Sequence, residues 1–136
     1  MSQDEPELPE HILTVREPWA THIVEGRKLW EIRRYPTRIR GRIGIASSRG
    51  LIGTVRLTDV LGPFTIEELL DHIEKHLAPA TFLEAYAQGQ PLYAWVLEDP
   101  EPFPTPYALE RPTGPRIWVR RRHVKGRTPP YPTTNV

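Results

Sequence analysis

The segment Gly26-Arg27-Lys28-Leu29-Trp30-Glu31-Ile32-Arg33 brings an ammonium, a carboxylate and a guanidinium close together in the chain. A helix that stops at Gly26 and a strand that begins near Leu29 would give them a geometry. Strand alternation places Leu29, Glu31 and Arg33 on one face and Trp30 and Ile32 on the other. The first face then carries acid and base side by side, and the second anchors the strand in a core. Lys28 stands at the mouth of the turn. Lys28 and Arg33 can take a phosphate or a base carbonyl, while Glu31 orients them or accepts from an exocyclic amine or ribose hydroxyl. Lys28 and Glu31 can equally serve as a general acid–base pair on a nucleotide-like amide or a phosphodiester. A surface ion pair beside a turn lysine would use the same residues and contribute little. Burial separates these readings.

The elements that must position this group follow in order. Ile12 to Arg16 reads as a first strand. Glu17-Pro18 opens a short helix, with Pro18 suited to its first turn. Trp19 and Ile23, and Ala20 and Val24, share an apolar face at i,i+4 spacing. Gly26 is a natural stop. After the strand 29–33, the stretch 33–42 is a basic loop or bulged edge containing Tyr35. Ile43, Ile45 and Ser47 share one face of the next strand; Gly44 and Ala46 leave room on the other for a close backbone or a ligand. A further strand covers 51–60, and Gly62-Pro63 ends it. Thr65-x-x-Glu68 has the form of a capping box for a helix over 66–77, with Ile66, Leu69, Leu70, Ile73 and Leu77 as its apolar stripe. A second helix runs from about Pro79 to Ala87 and stops at Gly89. Tyr93 to Glu98 is a buried central strand, a proline-rich extended loop follows over about 100–115, and 116–120 is the last strand. About six strands, one early helix and an inserted helical pair predict an α+β fold: a small β-barrel of mixed or antiparallel strands with helices at its ends. No internal repeat is present.

Composition narrows the function. The 136 residues suit one domain. There is no cysteine, which excludes disulfides and cysteine-based metal sites. No apolar run is long enough to span a membrane as a helix. The acidic N-terminus has no hydrophobic stretch, so a cytoplasmic location is expected. Residues 1–10 are expected to be a disordered acidic segment and 124–136 a basic, proline-rich flexible tail. The net charge of +1 conceals segregation: 27–56 hold nine Lys or Arg and one acid, 57–110 hold ten acids and one base, and 111–136 hold seven bases and no acid. Should the two basic stretches lie side by side, they form a positive face suited to phosphate or nucleic acid. Arg16, Arg38, Arg40 and the arginines at 120–122 would supply the approach of a polyanion.

Other constellations carry less. His72 and His76 share a helical face without a third ligand, which reads as solvated surface rather than a metal site. Gly50-Leu51-Ile52-Gly53 fits a turn entering a strand. No phosphate loop or dinucleotide fingerprint occurs, so neither a cofactor nor a metal is expected. Core is the default for the four tryptophans, and Trp19, beside the turn, is the one placed to touch a ligand. The acidic helix 66–77 offers a third class of function, a protein-interaction surface.

Several blocks together resemble a known family. Leu13-Thr14-Val15-Arg16-x-Pro18-Trp19-Ala20-x-x-Ile23, Gly26-x-Lys28-x-x-Glu31-x-Arg33, and Thr37-Arg38-x-Arg40-Gly41-x-Ile43-x-Ile45-x-Ser47 resemble the ASCH (activating-signal-cointegrator homology) domain. So do Ile52-Gly53-x-Val55, Tyr93 to Glu98, and Trp118. The resemblance implies a PUA-like domain over residues 11–123, an RNA-binding barrel with a cleft into which the Lys28–Glu31–Arg33 motif points. It implies RNA or a nucleotide-like ligand, single-stranded nucleic acid included. Together with the residue reading above, the residues expected to bind it are Arg16, Trp19, Lys28, Glu31, Arg33, Arg38, Arg40, Ser47, Arg120 and Arg121. Within the superfamily it further implies a branch that deacylates N4-acetylcytidine, with a lysine at the position of Lys28 and a threonine three residues on. Glu31 stands there instead, and without the hydroxyl that mechanism does not carry over. Some bacterial relatives are linked to ribonuclease activity.

Overall fold

Alternating burial builds the strands, and short turns order them. The computed structural model describes residues 7–110 and 117–125. Its strands are β1 (His11–Thr14), β2 (Trp30–Arg33), β3 (Gly41–Ser47), β4 (Gly50–Phe64), β5 (Leu92–Tyr107) and β6 (Trp118–Arg120). Helices are α1 (Trp19–Val24), α2 (Ile66–Leu70), α3 (Ile73–His76) and α4 (Ala80–Ala87). The six strands form one mixed sheet in the order β2-β5-β4-β3-β1-β6. Only β1 and β3 run parallel; the other neighbours are antiparallel.

The α+β class and the six strands match expectation, but the sheet is not closed into a barrel: β2 and β6 remain its two edges. Side chains span the gap where a ladder would be needed. Arg33 of β2 donates from Nη2 to the Thr14 carbonyl at the end of β1, 2.8 Å away. Trp95 of β5 stacks on Trp118 of β6 with ring centroids 5.8 Å apart.

Alternation along β2 divides the interior. Trp30 and Ile32 pack with Leu69, Leu83, Leu92 and Ala94 beneath α2 and α4. On the other face of the sheet, α1 lays Ala20, Ile23 and Val24 against Leu13, Ile43, Ile45, Val55 and Leu97. Trp19 packs against both clusters. It therefore sits at the seam where the helical layers meet the strand carrying the charged motif. Gly44 is closed in by core: a Cβ there would lie 2.8 Å from Leu51 Cδ1 and 3.0 Å from an Ile12 carbon, so neighbouring side chains fill the space expected to admit a ligand.

Several boundaries are corrected. Gly62-Pro63 bends β4 at a register shift instead of ending it. The prolines at 100, 102, 104 and 106 lie within β5, where a loop was expected. β2 pairs only with Tyr93 to Val96, so beyond Val96 one edge of β5 has no strand partner among the described residues, and register shifts interrupt its ladder with β4; open edges and bulges are where a strand tolerates proline. The expected helix 66–77 breaks after Leu70. The capping box at its start is present, Thr65 Oγ1 accepting from the Glu68 N–H at 3.1 Å and Glu68 returning the bond to the Thr65 N–H at 2.8 Å. The Leu69 carbonyl, however, is taken by the His72 N–H at 2.9 Å and by the His76 ring at 2.7 Å, so α-helical bonding does not continue. His76 is fully buried, against the expectation of solvated surface, and Ile73 is exposed. Within the expected disordered segment 1–10, residues 1–6 lie outside the described ones, but Leu8 is buried beside Ile12, Tyr107 and Val124. Of the expected tail 124–136, Val124 is buried and bridges Leu109, and 126–136 lie outside the described residues.

Candidate functional site

The turn after α1 delivers Lys28. Gly26, at φ +83°, reverses the chain in the left-handed region that other residues enter only with strain. The Arg27 and Lys28 N–H groups then both donate to the His22 carbonyl, at 2.9 and 3.1 Å. β2 starts two residues later and aims Glu31 and Arg33 at the same space.

The three groups form a buried chain of charge. Lys28 is 3% exposed and Glu31 7%, which excludes the surface-pair reading. Lys28 Nζ lies 3.8 Å from Glu31 Oε1, too far for a hydrogen bond, and donates to the His76 carbonyl at 2.5 Å. Glu31 Oε2 accepts from Arg33 Nε at 2.8 Å. Burial depresses the pKa of the Lys28 ammonium; Glu31 opposes this, and the Arg33 charge adds to the depression. The direction of this shift favours the neutral amine more than at an ordinary surface lysine.

These groups line one wall of a pocket of about 180 Å³. Trp19, Phe82 and Tyr86 line it too, joined by Thr14, Val15 and Arg16. Trp19 and Phe82 have ring centroids 4.3 Å apart, and Phe82 stacks on Tyr86 at 5.6 Å with planes 10° apart. Lys28 Nζ sits 5.6 Å from the Trp19 ring centroid, a cation–π contact. The result is a small aromatic slot with donors and one acceptor along its side. Among the described residues, no group of three His, Asp or Glu could hold a metal.

The chain belongs to the ASCH family. The ASCH domain model matches residues 13–106, which include both Trp19 and the Lys28–Glu31–Arg33 motif. The crystal structure of ASCH from Zymomonas mobilis matches with a TM-score of 0.70 at 21% identity, over 84% of this chain and 90% of that one. A serine-to-alanine mutant of that protein gives 0.69 at 22% identity, over 85% and 89%. A tyrosine-to-phenylalanine mutant gives 0.60 at 24% identity, over 68% and 71%. No curated protein matches the chain.

In this ASCH domain, five of the expected site residues meet in one pocket: Arg16, Trp19, Lys28, Glu31 and Arg33. Ser47 does not; its buried hydroxyl donates to Glu17 Oε2 at 2.7 Å and so braces the turn before α1. Arg38 and Arg40 are exposed on the segment after β2, and Arg40 Nη1 donates to the carbonyls of Thr37 and Ile39 at 2.8 and 2.9 Å. Arg120 and Arg121 face the N-terminal acids, pairing with Glu10 at 3.0 and 3.2 Å. Sequence reasoning missed Phe82 and Tyr86. Their i,i+4 spacing on α4 was the available signal for a shared aromatic face.

The segregated charges largely cancel across the sheet. Antiparallel pairing of β4 with β5 brings Arg56 to Glu98 and Asp99, at 3.6 and 3.0 Å, and Arg42 reaches Glu101 at 3.9 Å. Among the described residues, Arg16, Arg34, Arg38 and Arg40 have no carboxylate within ion-pair distance, and neither do Arg49, Lys75, Arg122 and Lys125. Arg16 lines the pocket, and Arg34, Arg38 and Arg40 lie on the segment following β2. No helix among the described residues is long and apolar enough to cross a membrane.

Proposed function

We propose that this ASCH domain binds RNA or a nucleotide by taking a base into the aromatic slot. The observation that carries the reading is the buried Lys28–Glu31–Arg33 chain beside Trp19, Phe82 and Tyr86. A nucleobase has two apolar faces and an edge of donors and acceptors. Aromatic rings can stack on the faces. The Lys28 ammonium and an Arg33 N–H can donate to carbonyls on the edge, and Glu31, between the two, orients them. Arg16 at the rim suits the attached phosphate. Membership of the ASCH family supports RNA binding or a related function in general.

Titration of the full chain with the four nucleoside monophosphates and with short single-stranded RNA tests this. Phe82→Ala removes one ring of the slot without touching the charged chain. It is expected to weaken binding by about 10-fold or more, within the range for loss of one base stack. Unchanged affinity, or no binding of any probe by the native chain, would overturn the proposal.

A second reading has one observation in its favour. Burial lowers the Lys28 pKa, the direction in which a lysine becomes able to act as a general base. Under that reading the domain hydrolyses an acylated nucleoside or a phosphodiester, with Lys28 and Glu31 as its acid–base pair. Turnover of either substrate by the native chain that disappears in Lys28→Met distinguishes hydrolysis from binding alone.

A further inference from the structure

A second pocket adjoins the first. It measures about 320 Å³ and is lined by Arg33, Arg34, Tyr35, Tyr86, Trp95 and Ile117. Arg33 and Tyr86 line both pockets, so the two share a wall. No carboxylate is among the residues lining the second one.

Its chemistry repeats that of the first in a larger volume. Arg34 lies over the Tyr86 ring, Cζ 4.7 Å from the centroid. Its Nε is buried and has no hydrogen-bond partner among the described residues. A guanidinium held on an aromatic shelf with a donor unspent is a recognition group for an oxyanion or a base carbonyl. Arg33 commits Nε to Glu31 and Nη2 to Thr14, which leaves Nη1 to an incoming group. Tyr35 is 67% exposed, which is unusual for so large a ring. Its carbonyl accepts from Trp95 Nε1 at 3.0 Å, which ties the exposed residue to the buried indole.

We infer that the second pocket takes the neighbouring nucleotide of the same RNA strand, so that the ligand is at least a dinucleotide. The inference rests on the base-binding reading of the first pocket. Arg33 at the shared wall meets the linking phosphate. The second base lies against Tyr35 and Tyr86, with Arg34 at its edge. A pocket lined by rings and guanidinium groups with no carboxylate selects a planar base in general, whereas the first pocket, with Lys28, Glu31 and Arg33 along its side, reads one base edge.

The test compares 5′-phosphorylated mononucleotides, the matching dinucleotides, and dinucleotides abasic at the second position, each titrated into the full chain. The intact dinucleotide is expected to bind about 10-fold or more tighter than the other two, the increment of one additional stack. Tyr35 lines only the second pocket. Tyr35→Ala is expected to remove most of that increment and leave mononucleotide affinity unchanged. If mononucleotides bind and the intact dinucleotide gains nothing over the abasic one, the second subsite is refuted while the first stands. Equal losses for mono- and dinucleotide in Tyr35→Ala would refute it too. If no mononucleotide or dinucleotide binds the native chain, the base-binding reading fails and takes this inference with it.

Discussion

Glu31 lies between two cations in a site from which water is largely excluded. Its Oε2 is bonded to Arg33, and its Oε1 faces Lys28 without a hydrogen bond. Glu31→Gln keeps the shape and one acceptor while removing the charge that offsets two buried cations. The lost charge-assisted bond corresponds to about 1–3 kcal/mol. Tm is therefore expected to fall by roughly 4 °C or more. The Lys28 pKa falls further in this variant, because Glu31 is the group that raises it. Affinity for a nucleoside monophosphate is expected to hold or rise, since a repulsive carboxylate has gone and Arg33 remains. If the hydrolase reading is correct, turnover drops by about 100-fold or more with binding spared. A collapse of affinity at unchanged Tm would show that Glu31 contacts ligand donors directly and is no mere orienting group. Melting, titration and turnover on this one variant separate the outcomes.

At the scale of elements, the helical layer reaches the site through one buried imidazole. His76 Nδ1 accepts from the Ala78 N–H at 3.0 Å, so Nε2 carries the proton and donates to the Leu69 carbonyl at 2.7 Å. The same residue's carbonyl receives Lys28. Burial keeps the His76 pKa below its ordinary value; the bond to Leu69 works against that, and the Lys28 charge assists it. Below the ordinary histidine pKa the unfolded chain then binds the proton more readily than the folded one. Stability falls as pH drops from the unfolded-state value toward the lowered folded one. Protonation would also turn Nδ1 into a donor facing the Ala78 N–H. Melting curves between about pH 7.5 and 5.5 are expected to show a loss that is visibly shallower in His76→Asn, whose amide oxygen still accepts from Ala78 but does not titrate. Parallel pH profiles for the two proteins would remove His76 from the account. The elements themselves were unevenly legible. β2 and the capping box are local patterns, readable from alternation and from a three-residue spacing. The break after Leu70 was not, because it depends on a histidine seven residues away bonding a carbonyl. The prolines of β5 misled because the open edge and register shifts that accommodate them exist only in the folded sheet.

The whole molecule turns a segregated sequence into a patterned surface. Lys28, Glu31, Arg33 and Trp19 were legible because they lie in one stretch of chain. Phe82 and Tyr86 were not, because only folding brings α4 across to α1 and β2. The same folding spends much of the basic charge. Arg56 is answered by Glu98 and Asp99, and Arg120 by Glu10, whereas Arg16 and Arg38 have no such partner among the described residues. A single strand releases counterions only where a cation neutralises its phosphates, and each such contact contributes about −0.7 to the slope of log affinity against log salt. An arginine already paired with a carboxylate contributes little. Arg16→Ala and Arg38→Ala are therefore each expected to flatten the slope for a short single-stranded RNA by about 0.7. Arg56→Ala and Arg120→Ala are expected to leave it unchanged, although all four remove one positive charge. Affinity measured from roughly 50 to 200 mM salt on the four variants is the check. Equal flattening in all four would mean that the strand senses net charge alone. A flat response in the native chain would mean that no phosphate is neutralised, and electrostatic RNA binding would have to be abandoned.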